Sequence, residues 1–145
     1  MARLTIATAV LCLIGPAVWP ALGQAIPLRV TQRDLVPGCL NGRAVPQSTR
    51  AWDVEPGPVW LVLSMRNARR PGRVTPEAGW ASISFTAEAS HRYEVEVRAG
   101  HMAFSTRRWR QGEWTPVVRD RTTNTIVSGE PEWTDGQCPA AGRRQ

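Results

Sequence analysis

Residues 80–98 read Trp80-Ala-Ser-Ile-Ser-Phe-Thr-Ala-Glu-Ala-Ser-His-Arg-Tyr-Glu-Val-Glu-Val-Arg98, and this stretch decides the fold. Ala81, Ile83, Phe85 and Ala87 fall on one side of an extended chain, with Ser82, Ser84 and Thr86 on the other. After the polar link 88–91, Tyr93, Val95 and Val97 share a side, opposite Arg92, Glu94, Glu96 and Arg98. Successive strand side chains point to opposite faces, so a period of two gives a sheet with one buried and one wet face. A helix would scatter the same charges around its circumference. The stretch predicts two strands joined as a β-hairpin.

Working outward to the N-terminus, Arg3 precedes an uncharged apolar run over residues 4–14, which Gly15, Pro16 and Pro20 then break. Ala21-Leu22-Gly23 has the small-x-small pattern of a cleavage site, with the cut before Gln24. Residues 1–23 therefore read as a signal peptide, too short in its apolar run for a spanning helix of about 20 residues. Leu11 stands before Cys12, where a lipoprotein box needs a small residue. The expectation is a soluble periplasmic or secreted protein, with no lipid anchor and no membrane span. Residues 24–145 are the length of one domain.

The chain has no lysine; all its basic charge is arginine. Without Arg3, 17 arginines face 12 acidic residues, a net charge of +5. That balance suits acidic partners such as an anionic polymer or lipid head group. No motif for specific nucleic-acid recognition accompanies it. Cleavage leaves two cysteines, Cys39 and Cys138, and an even pair in an exported chain reads as one disulfide. A loop that long is worth about 4–5 kcal/mol by chain entropy. A reactive thiol at Cys39 is the alternative.

Residues 28–31 suggest an edge strand. Val36-Pro37-Gly38-Cys39 and Leu40-Asn41-Gly42-Arg43 read as turns, and Pro46, Pro56 and Pro58 argue against a central strand over 43–58. Val59-Trp-Leu-Val-Leu-Ser-Met65 is apolar on both faces, which predicts a central strand covered on both sides. Residues 66–79 form a basic loop with four arginines and two prolines. Further strands are expected over 101–110, 113–119 and 125–127, with a loose tail from about 129 pinned by Cys138. About seven short strands separated by turns predict an all-β antiparallel sandwich or small barrel with one disulfide.

Several of these features resemble a known group. Val54-Glu-Pro-Gly57 leads into an apolar strand; Phe85-Thr-Ala-Glu-Ala, His91-Arg-Tyr93 and Trp114-Thr-Pro-Val-Val-Arg-Asp120 follow, with Thr123 and Val127. Over residues 54–128 this pattern resembles a group of small uncharacterised exported bacterial β-domains. Ser90 stands where that group often has glycine before the histidine, and Val59 where it often has a polar residue. The resemblance implies an immunoglobulin-like or transthyretin-like sandwich and no particular activity.

The sequence contains no Gly-x-Ser-x-Gly, His-Glu-x-x-His, phosphate-binding glycine loop or Cys-x-x-Cys. Its two histidines, His91 and His101, lack a metal-ligand spacing, and a turn histidine bonded to backbone is the expected role of His91. Glu94 and Glu96 share a face, as paired hydrolytic carboxylates would, but Arg92 and Arg98 flank them and favour an exposed charge ladder. Arg107-Arg108-Trp109-Arg110 is the most distinctive polar cluster. Alternation from Phe104 puts Trp109 opposite the core, where an indole among guanidinium groups could stack on a sugar or base while the arginines hold an acid. The alternative is a tryptophan packed over the sandwich edge along arginine stems. Of the other tryptophans, Trp60 and Trp114 read as core and Trp52 and Trp133 as plugs for the ends of the sandwich.

The reading is an exported, non-enzymatic β-domain without cofactor or metal, binding a protein partner or an anionic envelope component. Its expected contacts are Arg107, Arg108, Trp109 and Arg110, with Arg69, Arg70 and Arg73 of the loop. A structural subunit of a larger envelope assembly and a small hydrolase or metal-dependent enzyme are the alternatives.

Overall fold

The computed structural model describes residues 23–66, 78–99, 109–136 and 138. The expected signal segment, most of the basic loop and residues 100–108 lie outside them. Among the described residues there is no α-helix, and no helix is long and apolar enough to cross a membrane. The strands form two five-stranded sheets. The first contains β1 (Ile26–Val30), β4 (Ala51–Val54), β7 (Tyr93–Ala99), β8 (Trp114–Asp120) and β9 (Thr125–Ile126), in the order β4-β1-β7-β8-β9. The second contains β2 (Leu35–Leu40), β3 (Arg43–Ala44), β5 (Gly57–Met65), β6 (Trp80–Ala87) and β10 (Glu132–Thr134), in the order β10-β6-β5-β2-β3. The fold is an all-β sandwich. Its ten strands exceed the expected seven or so because four of them are only two to four residues long.

Alternation along 80–98 gives the faces correctly and the pairing wrongly. Ala81, Ile83, Phe85 and Ala87 are buried, as are Tyr93 and Val95. But β6 pairs with β5 in one sheet, and β7 pairs with β1 and β8 in the other. Residues 88–92 form an arch between sheets, not the turn of a hairpin. Period-two patterning states which side chains go inward; it does not state which strand lies alongside. Ser90 turns the arch with φ 69°. The two inward faces meet across it, with the Phe85 and Tyr93 rings 4.9 Å apart.

Core residues come from both sheets: Ile26, Leu28, Tyr93, Val95, Trp114 and Val118 from the first, and Leu61, Leu63, Ile83 and Phe85 from the second. Full burial of each large side chain contributes on the order of 1.5–3 kcal/mol. Strand β5 is central, as its two apolar faces require, with Val62 and Ser64 buried on the face away from that core. Trp60 shares this second face. It is half-buried and donates Nε1–H to Ser82 Oγ at 2.6 Å, so it is not the core residue expected.

Three further expectations are corrected. Strand β1 is interior, paired antiparallel to β4 and parallel to β7. Residues 35–40 are a strand despite Pro37 and Gly38; the register with β5 shifts between Pro37 and Cys39, which accommodates both. The expected loose tail carries β10, paired with β6, and Trp133 packs edge-on against Trp114 at 5.3 Å. Trp52 and Trp133 both pack against the core from partly buried positions, in keeping with plugs.

The disulfide joins Cys39 to Cys138, with Cα atoms 5.0 Å apart and a sequence separation of 99. Cys39 is in register with Val62, on the second sheet's outer face. Cys138 follows β10 by four residues, while β10 lies three strands from β2. Three spacings of about 4.8 Å leave little chain to spare, so the bond fastens one side of the sheet to the other.

Candidate functional site

The outer face of the first sheet collects the charges that alternation keeps out of the core. Parallel pairing of β1 with β7 sets Arg29 beside Glu94, and antiparallel pairing of β7 with β8 sets Glu94 beside Arg119. Arg119 bridges diagonally, its Nε lying 3.1 Å from both Oε1 and Oε2 of Glu96. Arg121 Nε lies 3.3 Å from Glu94 Oε2. The acid partners are therefore Arg119 and Arg121 across the strand, not the flanking Arg92 and Arg98. Both pairs are partly exposed and each is worth only about 0.2–1 kcal/mol. Arg29, Arg92 and Arg98 are exposed and have no acidic partner among the described residues. At the start of β7 the face sinks into a groove of about 300 Å³, lined by Pro27, Arg29, Arg92, Tyr93, Glu94 and Arg121.

Behind the groove lies a cluster that holds the arch. His91 Nδ1 is 2.6 Å from Asp120 Oδ2. Asp120 is 3% exposed. Burial alone pushes its carboxyl pKa up, but hydrogen bonds from Thr122 N–H, His91 and Thr123 outweigh burial and hold it below the usual carboxylate range. An ionised Asp120 only accepts, so Nδ1–H is the donor and the imidazole orientation is set. Thr122 N and Thr123 N reach Asp120 Oδ1 at 2.8 and 3.4 Å, a local turn built on the aspartate. Tyr93 closes the other side: its hydroxyl accepts Glu88 N–H at 2.9 Å, and burial, with smaller effects from Asp120 and Glu88, pushes its pKa up.

An aspartate-oriented imidazole is half of a nucleophilic constellation. His91 Nε2, however, faces Glu88 Oε2 at 3.8 Å, and the Ser90 hydroxyl donates away to Gln24 Oε1 at 3.2 Å. Cys39 is oxidised. The cluster thus joins the arch to the β8–β9 turn, through a side-chain acid and not the backbone contact expected for His91. Among the described residues, no three His, Cys, Asp or Glu side chains gather as a metal-ligand set.

The residues expected to form the site are placed differently. Trp109 is 3% exposed and belongs to the core cluster, so the bare indole is corrected: apolar packing has drawn it inward. Arg110 beside it is exposed, and its carbonyl accepts Glu113 N–H at 3.1 Å. Arg69, Arg70, Arg73, Arg107, Arg108 and His101 lie outside the described residues. Sequence reasoning missed Arg29 and Arg121, whose neighbours come from strand pairing alone. Asp120 had a local signal, an aspartate followed by Thr122 and Thr123.

No protein-family model, no curated protein and no solved structure matches this chain.

Proposed function

We propose that the mature chain is an exported, non-enzymatic binding domain that takes an anionic envelope component on the outer face of its first sheet. One observation carries this reading. Arg29 and Arg98 on the sheet, and Arg92 at the end of the arch, stand exposed and unpaired with acids among the described residues, beside charges that are already matched. Uncommitted guanidinium groups on a fixed scaffold offer paired N–H donors to phosphate or carboxylate. The disulfide suits an oxidising compartment outside the cytosol.

The test is retention on immobilised lipopolysaccharide, against a neutral dextran matrix. Replacing Arg29, Arg92 and Arg98 together by serine lowers the salt needed for elution and leaves the melting temperature unchanged. Elution of variant and parent at the same salt counts against the reading.

A further inference from the structure

The groove at the start of β7 selects more narrowly than the face around it. Its walls hold three guanidinium groups, Arg29, Arg92 and Arg121, against the single carboxylate of Glu94. That leaves two positive charges for a ligand to neutralise. A phosphate monoester carries about −1.5 to −2 at neutral pH, whereas a carboxylate carries −1. The space, about 300 Å³, sits at the lower end of ligand sites and exceeds what a lone tetrahedral anion needs.

Glu94 sets the second condition. Arg121 Nε lies 3.3 Å from its Oε2, and Arg119 on the neighbouring strand turns to Glu96 instead. An ionised carboxylate accepts and never donates, so it repels an oxyanion that has no proton to offer. It welcomes a hydroxyl beside the phosphate, such as one on a sugar ring. Pro27 supplies the apolar part of the wall.

We infer that this groove binds a sugar phosphate, with Arg29, Arg92 and Arg121 on the phosphate dianion and Glu94 accepting from a hydroxyl. The inference rests on the anion-binding reading of the same face. Soluble sugar phosphate and the phosphorylated sugar of a lipid head group share this chemistry.

Calorimetric titration of the full mature chain with glucose 1-phosphate, inorganic phosphate and sulfate, at low ionic strength and pH 7.5, tests it. Glucose 1-phosphate binds most tightly, inorganic phosphate next through its own P–OH, and sulfate at least about tenfold more weakly than phosphate. Arg92→Ser weakens glucose 1-phosphate by about tenfold or more, and Glu94→Gln brings sulfate to within about threefold of phosphate. Vesicles carrying a phosphorylated-sugar lipid, matched against glucose 1-phosphate, separate the two sources; tighter vesicle binding assigns the head group. Sulfate binding as well as phosphate in the parent, or selectivity unmoved by Glu94→Gln in a variant that melts normally, overturns the inference. Loss of saturable sugar-phosphate binding with lipopolysaccharide retention intact overturns the inference alone. Loss of both removes the reading beneath it.

Discussion

His91 Nδ1 lies 2.6 Å from Asp120 Oδ2, and that contact fastens the arch between the sheets to the turn that follows β8. The arch starts the strand that carries Glu94 and places Arg92 at the groove. The turn places Arg121. The two sides of the candidate site are therefore set by this partly buried contact together with two bonds at Arg92, whose carbonyl accepts Arg121 N–H at 2.7 Å and whose N–H donates to Thr122 Oγ1 at 3.2 Å.

Removing the acid leaves donors from Thr122, Thr123 and His91 without their acceptor. Asp120→Ala is expected to cost roughly 2–4 kcal/mol in urea unfolding, since three partly buried donors stripped of one charged acceptor lose more than an ordinary hydrogen bond. His91→Gln, which leaves the turn bonds in place, costs less. Equal losses would contradict this division.

The same carboxylate gives a pH dependence of definite sign. Its pKa is lower folded than unfolded, so the folded state keeps the charge to lower pH. The stabilisation is complete above the ordinary aspartate range near pH 4 and is lost as pH falls through the lowered folded value. Chemical denaturation between pH 6 and pH 2.5 should show a steeper acid fall in the parent than in Asp120→Asn. Parallel curves would remove Asp120 from the acid limb.

Trp109 is a core residue, whatever its arginine neighbours suggest. Trp109→Ala is expected to lose about 3–5 kcal/mol, the usual cost of emptying a buried aromatic site. A variant that melts like the parent yet loses anion binding would restore the indole as a contact surface.

Arg50 predicts a loss that its charge does not. Its guanidinium donates to the carbonyls of Gln32, Arg33 and Leu35, closing the turn between β1 and β2 from the start of β4. Arg50→Met keeps the stem but deletes these donors, and should cost about 1–3 kcal/mol by thermal melting. No change would mean water replaces the clamp freely.

The sandwich was legible because alternation in 80–87, 93–99 and 114–120 reports burial, and burial is what strand side chains encode locally. Pairing is not encoded that way. Nothing between Phe85 and Tyr93 distinguishes a turn within one sheet from an arch between two, apart from Ser90 at positive φ. The disulfide followed from a count of two. Strands β3 and β10 were not legible, because two or three residues carry no period and their partners fix them. The candidate groove was the least visible feature. Arg29, Arg92 and Arg121 lie far apart in sequence and converge only because β1 runs parallel to β7 and Arg121 leaves β8 beside them. The run Arg107-Arg108-Trp109-Arg110 is compact in sequence, yet the Trp109 indole packs inward.

Pro116 shows the same limit. It occupies β8 at a position β9 does not reach, since β9 pairs only with Arg119 and Asp120. A proline there gives no N–H to a passing strand, and β8 keeps its pairing with β7 through Val97 and Pro116 in register.

The most direct test of the account is a phosphate titration of residues 24–145 followed by arginine side-chain Nε–Hε resonances in the nitrogen–proton spectrum. The account predicts saturable shifts concentrated on Arg29, Arg92 and Arg121, with the backbone amide of Glu94 moving alongside. Shifts centred on Arg107, Arg108 and Arg110 with the groove arginines unmoved would contradict it.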